Sequence, residues 1–138
     1  MSQYRCKHFN IKELVPKHVY EARGDKAWEL FDDRALRMID ALRDHFGVVT
    51  VNNWHVGGER NWSGLRTEDS PYYSAYSQHT FGRAFDCLFT SVASEKVREE
   101  ILAKPKADFA YLITGIELAT SWLHVDVRNT NRIKTFTA

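Results

Sequence analysis

Two short segments alternate apolar residues with ionisable ones, and they constrain the fold more than any other part of the chain. They read RAFDCLF at residues 83–89 and SWLHVDV at residues 121–127. Successive side chains of a β-strand point to opposite faces, so Asp86 lies on one face of the first segment, and His124 and Asp126 share one face of the second. Each segment is therefore predicted to be a strand with one apolar face and one face of ionisable groups.

The composition is typical of one compact domain. The chain has 138 residues, of which 43% are hydrophobic and 27% are charged, and its formal net charge is +1. A chain of this length can bury a sizeable core, and no repeat or linker divides it, so a single domain over residues 1–138 is predicted. The near-neutral charge counts against a nucleic-acid partner, because nucleic-acid-binding proteins normally carry a basic excess.

The sequence contains no run of residues long and apolar enough to span a membrane, and its first ten residues lack the apolar stretch of a signal peptide. We therefore expect a chain that is cytoplasmic when synthesised and has no membrane partner. A monomer is also expected. The two cysteines, Cys6 and Cys87, are far apart, which indicates neither a disulfide framework nor a cysteine zinc site.

The spacing of apolar residues predicts two principal helices. After Asp25 the apolar residues recur at helical spacing. This indicates a helix that is capped by Asp32 or Asp33 and ends before Gly47. A second helix is predicted between a cap at Ser91 or Ser94 and Pro105, while the opening 24 residues are expected to form a loop with a short helical turn.

Five short segments are predicted to be strands: 48–52, 83–89, 111–113, 122–127 and 133–136. Helices and strands are segregated along the chain, which favours an α+β fold with a small, mainly antiparallel sheet and helices packed on one face. Residues 53–77 form a long connecting segment, and such loops are often functional. Its aromatic residues can pack in the core or contact a substrate, and they are Trp54, Trp62, Tyr72, Tyr73 and Tyr76.

A fourth ionisable residue, His79, precedes the first of the two strands. Gly82 permits a tight turn that can bring His79 to the face that bears Asp86. A buried carboxylate is tolerable when a cation lies beside it, and two histidines with one carboxylate are a common zinc set that leaves a position for water. By spacing alone the signal is weak, because a single strand-end histidine or capping aspartate is more often structural.

The flanking residues strengthen this signal. Residues 77–86 read SQHTFGRAFD and contain the pattern SxHxxGxAxD, and HVD follows at residues 124–126. The combination resembles the D-alanyl-D-alanine carboxypeptidase family of zinc metallopeptidases (the LAS type), which includes vancomycin-resistance D,D-dipeptidases, phage L-alanyl-D-glutamate endolysins and murein endopeptidases. The resemblance covers about residues 36–128 and implies a hedgehog-like α+β fold, a zinc cofactor and a peptidoglycan peptide as substrate. The zinc ligands that it implies are His79, Asp86 and His124.

The resemblance also implies roles in substrate binding. Residues 63–66 read SGLR and are similar to the SGxR element of the family, which makes Arg66 the partner of a substrate carboxylate or carbonyl. A guanidinium can hold a carboxylate through two hydrogen bonds and can stabilise a developing oxyanion during catalysis. Ser77 is expected to hydrogen-bond the substrate or to orient a ligand.

The general base is the point at which the sequence departs from the family. Many members have a glutamate three residues before the last histidine ligand, whereas this chain has Ser121, which cannot accept a proton at neutral pH. Asp126 shares a strand face with His124 and is the predicted base, although it can instead orient a histidine. Glu117 can alternatively swing in from the preceding segment.

The predicted function is zinc-dependent hydrolysis of an amide bond in peptidoglycan stem peptides, as a carboxypeptidase or an endopeptidase. A phage lysis enzyme is one setting for this activity, since a cell-wall substrate requires release at lysis or delivery by a virus particle. Because Ser121 replaces the usual base, the alternative is a zinc-stabilised binding module without turnover. A metal-dependent nuclease is a third, weaker alternative, suggested by Arg128 and Arg132 and opposed by the overall charge.

Overall fold

The structure is a computed structural model, and it describes residues 3–137. Within this range the chain forms three α-helices and five strands. The helices are α1 Lys17–Arg23, α2 Asp33–Phe46 and α3 Ser94–Ala103. The strands are β1 Val49–Thr50, β2 Ala84–Phe89, β3 Gly115–Glu117, β4 Leu123–Asp126 and β5 Lys134–Phe136. Short 3-10 helices span Ile11–Glu13, Gly24–Leu30 and Trp54–Val56.

The five strands form one small mixed sheet in the order β1-β2-β4-β3-β5. The pairs β1–β2, β2–β4 and β3–β4 are antiparallel, and the pair β3–β5 is parallel. The predicted α+β class is therefore confirmed. The predicted strands at residues 83–89, 122–127 and 133–136 are present within a residue or two at each end.

Helix α2 forms where the apolar spacing predicts it. The side chain of Asp32 accepts a hydrogen bond from the backbone N–H of Arg34 and so caps the first turn. Gly47 follows the last turn at a φ of 88°, a conformation that glycine adopts without strain. The residues that α2 buries lie at helical spacing along its inner face and include Ala35, Leu36, Ile39, Leu42 and Phe46.

Helix α3 also forms as predicted, but its predicted cap is wrong. The helix begins at Ser94, and the preceding residue, Ala93, has no side chain that can accept a hydrogen bond. Val97 and Ile101 are fully buried on its inner face, and the helix ends at Ala103, before Pro105. Burial of the apolar face therefore stabilises this helix in the absence of a side-chain cap.

Two further sequence predictions are wrong. Residues 111–113 are not a strand, because the backbone N–H groups of Tyr111 and Ile113 donate to the carbonyls of Ala107 and Ala110 in successive turns. The strand of this region lies further along, at Gly115–Glu117. The opening of the chain is also more helical than predicted, since α1 and two of the 3-10 helices fall within its first 30 residues.

One face of the sheet forms one side of the hydrophobic core. Phe85 and Cys87 of β2 and Leu123 and Val125 of β4 are fully buried there, in one cluster with the inner faces of α2 and α3. Because side chains alternate along a strand, the residues between these four must point to the opposite face. The core therefore fixes the face on which Asp86, His124 and Asp126 are presented.

Within residues 3–137, none of the helices has the length and apolar content that crossing a bilayer requires. Cys6 and Cys87 are both free cysteines. Burial raises the pKa of the Cys87 thiol, which packs in the core as a small apolar side chain.

Candidate metal centre

The register of the sheet lines up four side chains on its non-core face. Asp86 of β2 lies directly opposite His124 of β4. Strand β3 pairs with β4 through Gly115–Asp126 and Ile116–Val125, and the next step of that register brings Glu117 beside His124. Glu117 in turn pairs with Phe136 of β5. Directly paired residues share a face, so Asp86, His124, Glu117 and Phe136 form one row across the sheet.

The turn before β2 brings His79 to this row. Gly82 has a φ of 67°, and a side chain at this position would overlap the carbonyl oxygen of Leu30. His79 is 3% exposed, and its Nε2 lies 3.3 Å from Oδ1 of Asp86. The Nδ1 of His79 is 2.8 Å from the carbonyl oxygen of Gly64. Since a carbonyl only accepts, Nδ1 carries the proton and Nε2 is left with a lone pair directed to Asp86.

The imidazole of His124 is oriented through the other ring nitrogen, Nε2. Nε2 of His124 lies 2.9 Å from Oδ2 of Asp126, and Nδ1 lies 3.0 Å from Oδ1 of Asp86. Asp126 is fully buried and forms an ion pair with Arg128, whose Nε and Nη2 donate to its two oxygens at 2.8 and 2.6 Å. When Asp126 accepts the Nε2 proton of His124, Nδ1 becomes the nitrogen that can bind a metal.

The three predicted ligands are thus brought together. One ligand atom from each of His79, Asp86 and His124 lies within 4.8 Å of the others, and all three residues are buried. A pair of imidazole nitrogens and a carboxylate oxygen, each oriented by a second hydrogen bond, is a donor set that can hold a metal ion.

The electrostatics of the group follow from burial and from its hydrogen bonds. Burial disfavours ionisation of Asp86, but the hydrogen bond from His124 outweighs it and holds the pKa of Asp86 well below its ordinary value. Burial lowers the pKa of His79. Burial also opposes the charged form of His124, but hydrogen bonds with Asp126 and Asp86 prevail and raise its pKa to about 9. Without metal, the group therefore holds a charged His124 and a neutral His79 near pH 7.

The SGLR segment binds both sides of this group. The carbonyl of Ser63 accepts a hydrogen bond from the backbone N–H of Asp86 at 2.7 Å, and the carbonyl of Gly64 accepts from Nδ1 of His79. The N–H of Arg66 donates to the carbonyl of His79 at 3.2 Å, and Nη2 of Arg66 lies 2.8 Å from Oδ2 of Asp86. Three residues of the motif therefore position two of the candidate ligands.

Gly64 is expected to be intolerant of any side chain. A methyl group there would overlap the carbonyl oxygen of Leu14, which also accepts the N–H of Leu65. We expect Gly64→Ala to lower the free energy of unfolding of the metal-free protein by about 2 kcal/mol or more, because the backbone of two packed segments has to shift. Urea denaturation measures this change.

Gly57→Ala is the matched control for this substitution. Gly57 has a φ of 88°, and a methyl group there would contact nothing, so its cost is limited to backbone strain of about 1 kcal/mol. Equal losses in the two variants would contradict the packing that we describe around Gly64.

The candidate ligands lie at the base of a cavity of about 620 Å³. Its wall includes the predicted substrate residues Arg66 and Ser77 and, from the row on the sheet, Glu117 and Phe136. The remaining lining residues are Glu59, Arg60, Asn61, Trp62, Ser63, Pro71, Tyr72 and Trp122. The predicted base, Asp126, lies behind His124 in the interior and is fully buried.

The two predicted substrate residues already make contacts within the protein. Besides its bond to Asp86, Arg66 donates from Nε to the carbonyl of Trp62 at 2.7 Å, and its guanidinium lies 5.6 Å from the ring centre of Tyr72. The Oγ of Ser77 accepts the N–H of His79 at 3.2 Å. Of the two roles expected for Ser77, this bond corresponds to the orientation of a ligand.

Sequence reasoning misses part of the wall, because no motif marks Phe136 or Arg60 as cavity residues. The alternation His124, Asp126, Arg128 in HVDVR is a usable signal for the ion pair behind His124, because these three residues share one strand face. Gly115, opposite Asp126, leaves the space for that pair, since a side chain there would overlap the Asp126 carboxylate.

Comparison of the chain with protein-family models, with curated proteins and with solved structures finds no match in any of the three. The resemblance to the D-alanyl-D-alanine carboxypeptidase family therefore stays a prediction that rests on the two sequence motifs. The side chains around the cavity are the basis on which a function can be proposed.

Proposed function

We propose that the chain is a zinc-dependent peptidase that hydrolyses an amide bond in peptidoglycan stem peptides. The observation that carries this proposal is the convergence of His79, Asp86 and His124 at the base of a cavity whose wall also holds a carboxylate, Glu117, and a guanidinium, Arg66. The SxHxxGxAxD and HxD motifs supply the same three ligands, which supports the family resemblance and its hedgehog-like fold.

The donor set fits zinc. Two imidazole nitrogens and one carboxylate oxygen are typical ligands of catalytic zinc, and the tautomers of both histidines are fixed by Gly64 and Asp126. When bound, the ion lowers the pKa of a water molecule to about 7 and polarises a carbonyl oxygen, which suits amide hydrolysis.

Glu117 is the residue that we assign as general base. It lines the cavity, lies beside His124 in the register and makes no hydrogen bond or ion pair through its carboxylate with any other residue in 3–137. A carboxylate so placed can accept a proton from the attacking water and deliver it to the leaving amine. Glu117 thereby takes the role that Ser121 cannot perform.

Asp126 is assigned the orienting role that the sequence left open. Hydrogen bonds from Arg128 and His124 outweigh burial and keep its pKa low, at about 2, so it stays ionised. A fully buried carboxylate bonded to Arg128 and His124 is poorly placed to take a proton from water in the cavity. Its effect on the reaction passes through the position and the tautomer of His124.

Arg66 completes the proposed catalytic set. Its guanidinium is held beside the ligand group by Asp86 and Trp62, at the wall of the cavity. A cation fixed there can stabilise the negative charge that develops on the carbonyl oxygen of the substrate. The bonds that hold Arg66 keep this charge in place before the substrate arrives.

The test is a product assay on purified sacculi and on synthetic stem peptides, followed by mass spectrometry. We expect cleavage products with zinc-loaded protein and none after a chelator has removed the metal. The mass of the products identifies the bond as D,D, L,D or L-alanyl-D-glutamate. Full zinc occupancy without any product would instead support the alternative of a binding module.

The raised pKa of His124 makes zinc binding dependent on pH. Zinc has to displace the proton of His124, so we expect affinity to rise about tenfold per pH unit from pH 7 to about 9. The charge of His124 stabilises the metal-free fold below its ordinary pKa of 6.5, and this contribution is lost as the pH rises towards 9. Competition with a chromophoric chelator measures the affinity.

Asp126→Asn is the control for this pH dependence. It removes the negative charge that helps to raise the pKa of His124, so the rise in affinity should level off nearer pH 7. Overall affinity should fall about ten- to a hundredfold, as for other residues that orient a metal ligand. A wild-type affinity that stays flat between pH 7 and 9 would contradict the assigned charge of His124.

A further inference from the structure

Two guanidinium groups line the cavity, and they differ in what they bind. Arg66 uses Nε and Nη2 for the carbonyl of Trp62 and the carboxylate of Asp86. Arg60 uses only Nε, which donates to the carbonyl of Val51 at 3.0 Å. Across residues 3–137, the two terminal nitrogens of Arg60 form no hydrogen bond. Arg60 therefore has its outer pair of donors free for a ligand.

Three hydrogen bonds hold the backbone and the Nε of Arg60 in place. Its backbone N–H donates to Oδ1 of Asn53 at 2.9 Å, and its carbonyl accepts the N–H of Asn53 at 3.0 Å. The bond from Nε to Val51 anchors the guanidinium to a fully buried residue that directly follows β1. A side chain ordered in advance loses less freedom when it binds a ligand, so its hydrogen bonds contribute more to affinity.

The charges in the cavity leave Arg60 uncompensated. Asp86 is paired with Arg66, and Asp126 is paired with Arg128 in the interior. Glu59 and Glu117 also line the cavity, but in the described part of the chain neither forms an ion pair with Arg60. A negative group on the substrate would therefore meet a cation whose charge is not already neutralised by an ion pair.

We propose that Arg60 binds a carboxylate of the substrate and so selects peptides with a free carboxylate close to the cleaved bond. The two terminal N–H groups of a guanidinium match the two oxygens of a carboxylate. This inference rests on the proposed function and narrows its substrate class. Stem peptides offer this chemistry at two places, the α-carboxylate of a γ-linked D-glutamate and the carboxyl terminus. In this arrangement Arg66 stabilises the carbonyl oxygen of the bond that is cleaved.

The test measures binding in a protein that cannot turn over. Zinc-loaded Glu117→Gln protein is titrated by calorimetry with three forms of the peptide L-Ala-γ-D-Glu-L-Lys-D-Ala-D-Ala. One form has both carboxylates free, one is amidated at the D-glutamate α-carboxyl, and one is amidated at the C-terminus. We expect one of the two amidations to weaken binding about ten- to a hundredfold, which identifies the carboxylate that Arg60 recognises.

The same titrations with Arg60→Gln added assign this effect to the residue. We expect binding of the free peptide to weaken by the same factor and the penalty for that amidation to disappear. Arg60→Lys keeps the positive charge but lacks the paired terminal N–H groups of a guanidinium, so it should give an intermediate loss of affinity. Arg23→Gln is the matched control, since Arg23 is exposed at the end of α1, outside the cavity, and should change nothing.

The outcomes separate this inference from the proposed function. Equal binding of the three peptides to the Glu117→Gln protein, or no binding at all, would overturn the inference even if Arg60→Gln fails to fold. An equal loss for all three peptides in Arg60→Gln would also overturn it. Selective carboxylate binding without hydrolysis by the wild-type protein would refute the peptidase and keep the role of Arg60.

Discussion

Replacing His124 by alanine is expected to weaken zinc binding by about a hundredfold or more. The substitution removes one of three protein donors, and it leaves the carboxylates of Asp86 and Asp126 buried without the imidazole that lies between them. Competition with a chromophoric chelator gives the affinity, and metal analysis of protein purified without added zinc gives the occupancy. The thermal stabilisation that zinc confers on the wild-type protein should be lost in parallel.

His8→Ala is the matched control for this experiment. His8 is exposed and lies beside Asp44, away from the cavity, so its loss should leave zinc affinity and occupancy unchanged. His124→Gln adds a variant of similar volume that keeps hydrogen-bonding capacity and tests whether the alanine variant fails only through misfolding. A folded His124 variant that binds zinc with wild-type affinity would contradict the assignment of His124 as a metal ligand.

Glu117→Gln is expected to lower turnover about a hundred- to ten-thousandfold and to leave zinc occupancy unchanged. The amide keeps the size of the side chain but cannot accept a proton from water, which is the contribution expected of a general base. Glu117 is not one of the three candidate ligands, so the metal should stay bound. Single-turnover rates on the cleaved stem peptide, measured beside zinc content, separate the two effects.

Asp126→Asn provides the comparison that distinguishes the two candidate bases. If Asp126 only orients His124, its loss should act mainly through reduced zinc affinity, and activity should recover substantially at saturating zinc. The loss in Glu117→Gln should persist at any zinc concentration. The reverse pattern would return the role of base to Asp126. Glu29→Gln, an exposed carboxylate outside the cavity, should match the wild-type protein in both measurements.

The faces that bear the candidate ligands could be predicted because they depend on local rules, whereas the choice of these three residues as a zinc set came from the family resemblance. Alternation along a strand places Asp86, His124 and Asp126 on the face opposite the core, and the structure has them there. Gly82 permits the turn that returns His79 to the same face. Each of these steps involves residues close in sequence or the two-residue period of a strand, so the face that bears each group could be predicted from the sequence.

The position of Glu117 could not be predicted in the same way. It depends on which strand lies beside β4 and in which register, and this pairing is set by the packing of the whole sheet. The apolar pattern predicts a strand at residues 111–113, but local turns satisfy their backbone, and the pairing begins at Gly115. The position of Arg60 in the cavity wall likewise depends on hydrogen bonds with Val51 and Asn53, and no sequence motif predicts them.

A crystal grown with zinc and measured at the zinc absorption edge tests the central claim most directly. We expect a single strong anomalous peak at the base of the cavity, bonded to Nε2 of His79, Nδ1 of His124 and a carboxylate oxygen of Asp86. A protein crystallised with ample zinc that showed no peak among these three side chains, or a peak held by other residues, would contradict the account.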